Sequence, residues 1–282
     1  MTSHDEKQTK KVNPYKTNLD PGNAYWMARL AREAYRSKSD EDNSPDEDKI
    51  LKSLKGDDSG FLKVIGFSHK SSQAILVEHK KYYCMAFRGT DEIKDWLDNM
   101  NLAVSEELFG EFHTGFWKAT QDIWDDIFGK YEALKKVSLR PKPMFFTGHS
   151  LGGAMASVAA AIFIEEDIPF TSCYTFGQPR VVRRETSRVM NNECQSRFFR
   201  FHNNNDIVAR IPQRLMGYSH FGTYLYIDTD MEICLDGVGF WYRFMDSVQG
   251  FIDDIGEMGL DAIEDHDINE YLEAVERWCF KD

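Results

Sequence analysis

Serine is a weak nucleophile unless the chain exposes its hydroxyl and places a base beside it. The run Gly148-His149-Ser150-Leu151-Gly152 meets the first of these conditions. An apolar stretch, Met144-Phe-Phe-Thr147, leads into it, and a small-residue stretch from Gly153 to Phe163 leads out. This pattern is a strand, a sharp turn and a helix, with Ser150 at the apex. Gly148 and Gly152 carry no Cβ, so the strand and the helix are free to close around the serine. A helix starting at Leu151 aims its first N–H groups and its positive dipole end at the same point. The bland alternative is a bystander serine in a glycine-rich turn. An apolar strand on one side and an alanine-rich helix on the other argue against it.

A serine at such an apex needs an acid and a base further along the chain, in the order Ser, acid, His. Reactive groups of open α/β sheets lie beyond the carboxyl ends of strands. Asp206 satisfies both conditions, because it follows the strand-like Ser196–His202 in the loop Asn203-Asn-Asn-Asp206. A simple turn aspartate is the competing reading, and Asp228 and Asp230 are weaker candidates. Among the histidines, His149 adjoins the serine and cannot turn back to it. His113 lies upstream, and His202 precedes the acid. His220 and His266 remain, and spacing does not separate them.

These groups need elements to hold them. Residues 1–20 are polar and read as a mobile tail. Ala24–Tyr35 reads as a helix and 37–48 as a charged loop. Phe61–Phe67, Gln73–Glu78 and Tyr82–Phe87 read as a hairpin followed by a central strand that ends in Arg88-Gly89-Thr90. In 91–100, Ile93, Trp96, Leu97 and Met100 recur at helical spacing among polar residues, so the segment reads as a short amphipathic helix. A surface helix packed on the core is the ordinary reading; a mobile cover over the site is the alternative its position suggests. Phe112–Lys136 reads as a turn and a long helix, 171–176 as a strand, about 184–191 as a helix, and 217–227 with 231–235 as an antiparallel pair. In 238–263, Trp241, Phe244, Val248 and Phe251 among others recur at helical spacing, interrupted by Gly250, Gly256 and Gly259. His266 stands just before a last helix, with Asp267 as its N-cap and Glu270 at the capping-box position. Strands alternating with helices indicate a mostly parallel sheet with right-handed crossovers, an α/β fold.

With 282 residues the chain is long enough for a large core. Its formal net charge of -12 argues against nucleic acid and anionic membranes as partners, though not against a neutral ester. The five cysteines are odd in number and include no CxxC pair, so neither a disulfide framework nor a zinc site is expected. No run is long enough to span a membrane. Residues 1–12 lack the apolar centre of a secretory leader. The default expectation is therefore a cytoplasmic chain, with export by a non-classical route as the alternative.

Taken together, Ala86-Phe-Arg-Gly-Thr90, Asp95-Trp-Leu-Asp-Asn99, His113-Thr-Gly-Phe116, Thr147–Ala154, Tyr174–Val181, His202–Val208 and Asp265-His266 make the chain resemble the class 3 lipases, the family that includes the filamentous-fungal triacylglycerol lipases. The likeness runs from about Ala24 to Tyr271. It implies a single α/β-hydrolase domain over 1–282, with a mostly parallel central sheet, flanking helices and a helical lid at 91–100. It implies Ser150 as nucleophile, Asp206 as acid and His266 rather than His220 as base. It also implies Thr90 and Leu151 as oxyanion-hole donors and Ile93, Trp96, Leu97 and Met100 as the apolar face of the lid. The implied activity is hydrolysis of carboxylic esters of lipids at an oil–water interface, foremost of triacylglycerols. A phospholipase A1 or a short-chain or feruloyl esterase is the alternative, and a non-catalytic lipid-binding relative a remote one. No metal or cofactor is expected, and the oligomeric state is left open. The chain departs from the secreted fungal pattern in its leader, its cysteines and its 238–263 stretch.

Overall fold

In the computed structural model, the structure describes residues 11–90, 92–98, 101–234 and 265–281. The amphipathic 238–263 stretch therefore lies outside the described residues, as does Met100. The main sheet has eight strands in the order β1-β2-β3-β6-β7-β9-β11-β12. These are β1 (Phe61–His69), β2 (Ser72–His79), β3 (Tyr83–Phe87), β6 (Met144–His149), β7 (Ser172–Phe176), β9 (Phe198–Asn203), β11 (Thr223–Ile227) and β12 (Ile233–Cys234). From β3 to β11 the pairs are parallel, and antiparallel strands close both edges. A second sheet of four short strands runs β10-β8-β5-β4, with β4 Val104–Glu107, β5 Gly110–His113, β8 Val182–Arg183 and β10 Tyr218–Ser219.

Because neighbouring strand residues point to opposite faces, the main sheet feeds two cores. Tyr83, Met85 and Phe87 pack with Met144 and Phe146 on one face, and Cys84 and Ala86 with Phe145 on the other. Helices α4 (Thr114–Val137) and α5 (Leu151–Glu165) cover the first face. Helices α1 (Pro21–Glu33) and α2 (Glu47–Asp57) cover the second, together with the C-terminal helix, here α7 (Ile268–Cys279). Helix α3 (Ile93–Asp98) lies beyond β3, and α6 (Arg184–Cys194) follows β8. Helix α5 is buried without interruption from Gly152 to Phe163. Its glycines and alanines let it lie close to the sheet, directly behind Ser150. No helix among the described residues is long and apolar enough to cross a membrane.

Several local readings are corrected. Residues 12–20, expected within a mobile tail, are mostly exposed but anchored at several points. Val12 is buried, Pro14 O accepts from Thr171 Oγ1 at 2.8 Å, and Asp20 caps α1 by accepting from Asn23 N at 2.9 Å. Helix α2 leaves a weak apolar period in the sequence, because only Ile50 and Leu54 are buried in it. The β4–β5 hairpin carries little strand signal, because its strands are four residues long and rich in glutamate. The segment 217–227, read as one strand, is two. Gly222, at φ +82, breaks it, so that β10 joins the small sheet and β11 pairs in parallel with β9. Helix α6 runs on to Cys194 and a 3-10 turn follows at Gln195–Arg197, so β9 begins at Phe198 rather than Ser196.

Candidate active site

Ser150 joins β6 to α5 with φ 58° and ψ -130°, a sparsely populated conformation for a residue with a side chain. It occupies the N-cap position, but its hydroxyl makes no capping bond. The turn tolerates this geometry because its neighbours are bare. A Cβ on Gly148 would stand 2.2 Å from Gly152 O, and one on Gly152 would stand 2.1 Å from Phe87 O. Ser150 N donates to Phe176 O at 2.9 Å, which ties the turn to the end of β7. The next residue, Gly177, has φ +57°, and a Cβ there would lie 2.7 Å from Asp206 Oδ2 and 2.8 Å from His266 Nδ1. The end of β7 thus holds the serine by one residue and lies against the acid and the histidine by the next.

Asp206 is completely buried in the loop after β9. Its Oδ2 accepts from His266 Nδ1 at 2.8 Å and from the Tyr271 hydroxyl at 2.5 Å, and its Oδ1 accepts from Val208 N at 2.8 Å. Burial works to raise its pKa, but His266, His202 and the Tyr271 hydroxyl outweigh it and hold it down to about 2. Burial beside this carboxylate pushes the Tyr271 phenol well above its usual range, so it remains a donor. Its oxygen in turn accepts from Asn203 N at 2.9 Å. The segment bearing His266 is pinned on its N-terminal side. Asn203 Nδ2 donates to Asp265 O at 3.0 Å, and Asn204 Nδ2 and Asn205 N donate to the Asp265 carboxylate at 3.2 and 3.1 Å. Asp267 then caps α7 by accepting from Asn269 N.

The structure therefore brings His266, not His220, to Asp206. His220 Nε2 donates instead to Ala209 O at 2.7 Å. His202 Nε2 donates to the backbone oxygen of Asp206 at 3.1 Å, and burial lowers its pKa to about 3, leaving it neutral. Asp228 shapes the β11–β12 turn by accepting from Asp230 N and Glu232 N. Ser150 Oγ and His266 Nε2 are both buried and have no hydrogen-bond partner among the described residues, each other included. A buried polar atom without a partner is costly, and catalytic bonds are often long until substrate binds.

Thr90 lies two residues past the Arg88 that follows β3, and Gly89 between them abuts the serine, since a Cβ on Gly89 would reach 3.0 Å from Ser150 Cβ. Thr90 Oγ1 accepts from Glu92 N at 3.2 Å, which leaves its own proton free to donate. Leu151 is the first residue of α5, where amides have no intrahelical acceptor. In α3, Ile93, Trp96 and Leu97 are half-buried and none of the six residues is fully buried. Trp96 stacks on Phe116 with ring centroids 5.9 Å apart. Phe116 in turn stacks on His113, the N-cap of α4, at 4.0 Å.

Residue order in the sequence did not single out Tyr271, Gly177, Tyr35 or the buried arginine Arg180. Arg180 Nη1 donates to Pro212 O at 2.9 Å and also to Arg210 O, which clamps the far side of the Asp206 loop. A tyrosine one turn into the helix after His266 was the readable signal for Tyr271.

Residues 84–216 match the family described as Lipase (class 3). That span includes Thr90, Ser150 and Asp206, and it stops short of His266. Over 164 residues the chain is 30% identical to a secreted mono- and diacylglycerol lipase of Fusarium solani, covering 56% of this chain and 45% of that one. Over 93 residues it is 40% identical to a triacylglycerol lipase of Arabidopsis thaliana, covering 29% of this chain and 18% of that one. The chain spans about half the length of the fungal relatives it matches. A solved lipase from Rhizopus microsporus var. chinensis superposes with a TM-score of 0.63 at 21% identity, over 80% of this chain and 84% of that one, which establishes the α/β-hydrolase fold. The Fusarium solani enzyme and matches from Penicillium cyclopium and Malassezia globosa are all named as secreted. This overturns the expectation of a cytoplasmic chain, which rested only on the make-up of residues 1–12. With these motifs in order on this sheet, the chain is similar to the class 3 lipases over residues 84–216 and shares their fold.

Proposed function

We propose that this chain is a serine hydrolase of lipid carboxylic esters, acting on neutral glycerides in an extracellular setting. The observation that carries the reading is the pair of buried, unbonded atoms Ser150 Oγ and His266 Nε2. One sits at a strained strand-to-helix turn and the other on a histidine held by a buried carboxylate. In the mechanism, His266 Nε2 takes the Ser150 proton as Oγ attacks the ester carbonyl. The negative charge on the carbonyl oxygen is met by the N–H groups of Thr90 and Leu151, each donor contributing about 3 kcal/mol. Asp206 holds the imidazole in the tautomer that accepts at Nε2 and stabilises its positive form. The alcohol leaves with the proton from His266, and an activated water then releases the fatty acid from Ser150. The whole of 1–282 is read as one such domain.

Helix α3 is read as the lid, with Ile93, Trp96 and Leu97 as its apolar face; Met100, the fourth residue expected there, lies outside the described residues. Its shallow seating supports this, since a helix without a buried residue is held weakly. Triacylglycerols are the favoured substrates. The relatives named for mono-, di- and triacylglycerols support a neutral glyceride, and the net charge of -12 disfavours anionic lipid surfaces. The test is a panel of triglycerides of graded chain length, diglycerides, phosphatidylcholine and p-nitrophenyl esters. Glycerides turned over fastest would support the reading. Phospholipid or short ester preferred at least tenfold would replace it with a phospholipase A1 or simple esterase.

A further inference from the structure

His149 is next to the proposed nucleophile, and its ring packs against that of the proposed base. The His149 and His266 rings lie 4.4 Å apart between centroids. His149 Nε2 is 2.6 Å from the backbone oxygen of His266, and His149 Nδ1 is 2.7 Å from the Tyr35 hydroxyl. A carbonyl oxygen only accepts, so Nε2 carries the proton and Nδ1 accepts from Tyr35. The ring is therefore a neutral Nε2–H tautomer, and its burial beside His266 disfavours a second proton. Tyr35 is itself fixed. The Arg88 guanidinium lies over its ring at 5.7 Å, and a Cβ on Gly89 would stand 2.2 Å from its hydroxyl. The bare backbone of Gly89 is thus what gives the tyrosine hydroxyl its place.

We propose that Tyr35 and His149 form a positioning relay for the base. Tyr35 donates to His149, and His149 donates to the carbonyl of His266. The need for such a relay follows from how His266 is held. Among the described residues its ring has one hydrogen bond, from Nδ1 to Asp206, and the peptide before it is held through Asp265 by Asn203. The peptide after it, which leads to the Asp267 cap, is held by His149. With that carbonyl fixed, rotation of the backbone at His266 is restrained, and Nε2 keeps its setting relative to Ser150. An error of about 1 Å there costs roughly 100-fold in rate. His149 is adjacent to Ser150 in the chain, so nucleophile and base share one rigid support.

This inference rests on the reading of Ser150 and His266 as nucleophile and base. Three variants test it, each assayed on a soluble p-nitrophenyl ester with a thermal melt for folding. His149→Phe keeps the ring and removes both bonds. His149→Gln keeps an N–H at the Nε2 position. Tyr35→Phe removes only the hydroxyl. Expected is a loss of kcat of at least tenfold in His149→Phe with KM within about twofold, recovery to within threefold of the parent in His149→Gln, and a loss of several-fold in Tyr35→Phe. The proton NMR signal of His266 Nδ1–H should broaden in His149→Phe and persist in His149→Gln. Equal losses in the phenylalanine and glutamine variants, losses in KM alone, or a Tyr35→Phe enzyme at full kcat would overturn the relay. If His149→Phe does not fold, the Tyr35→Phe and His149→Gln values decide by the same criteria. Activity surviving in Ser150→Ala or His266→Ala would instead overturn the underlying reading.

Discussion

Asp206 and His266 lie sixty residues apart in the chain, yet their side chains meet at 2.8 Å in a pocket where both are buried. The same carboxylate oxygen accepts from Tyr271, so three donors in all converge on Asp206. Removing the Tyr271 hydroxyl leaves the carboxylate buried with one bond fewer. Tyr271→Phe should therefore cost about 1.5–3 kcal/mol of stability, the range for a hydrogen bond to a charged group. It should also lower kcat by about tenfold, as the histidine loses part of its orientation. Urea denaturation and steady-state kinetics read both numbers. An unchanged kcat would show that Tyr271 serves the fold alone.

Gly177 and Gly129 make opposite predictions from the same kind of substitution. Alanine at Gly177 would force a side chain at φ +57° against Asp206 and His266. The expected result is a fall in kcat of over 100-fold with a stability loss of about 1–3 kcal/mol. Alanine at Gly129, exposed in the middle of α4 with nothing within 4 Å, should stabilise by about 0.5–1 kcal/mol and leave activity unchanged. Loss of activity at Gly129, or none at Gly177, would contradict the geometry described.

Buried histidines set the acid stability. Burial lowers His79, His113, His149, His202 and His220 from 6.5, His113 to about 4 and His202 to about 3. Below pH about 6.5 the unfolded chain takes up protons that the folded chain refuses, so stability falls as pH falls. Each histidine held neutral contributes a slope of about 1.4 kcal/mol per pH unit, so His113, His149 and His202 together give roughly 4 kcal/mol per pH unit near pH 5, and His79 and His220 add to it in the same direction. Asp206, held low in the fold, acts in the same direction at lower pH, its contribution fading from about pH 4 toward 2. Denaturant titrations at pH 7, 6 and 5 measure the slope. Stability that is flat over this range would mean that the histidines bind protons without unfolding.

If α3 is a lid, the Trp96–Phe116 stack helps to hold it on the body. Activity of the parent chain should rise steeply once a glyceride exceeds its solubility limit and forms droplets. Trp96→Ala should raise turnover of dissolved ester and flatten that rise. A smooth saturation curve in the parent, crossing the solubility limit without a break, would remove the lid.

What the sequence made legible follows from where local physics decides the structure. The strand, turn and helix from Met144 to Glu165 could be read directly, because an apolar run, bare glycines and a small-residue helix each demand that arrangement. Asp206 could be proposed from its place after a strand. The histidine could not be chosen by spacing, because His220 and His266 both follow the acid. What separates them is tertiary. Helix α7 packs on α1, Tyr25 meets Phe280 at 5.5 Å, and the Tyr271 hydroxyl reaches Asp206, which together bring residue 266 back to the sheet. Only the family resemblance favoured His266 beforehand. Helix α2 and the β4–β5 hairpin were illegible for another reason, since they are short, charged and bury few side chains.

The most direct test of the account is the hydrolysis of a p-nitrophenyl ester by Ser150→Ala, measured beside the parent chain and a thermal melt of each. The account predicts a folded protein whose kcat has fallen by at least about 1,000-fold. A folded Ser150→Ala protein hydrolysing the ester at near the parent rate would contradict it.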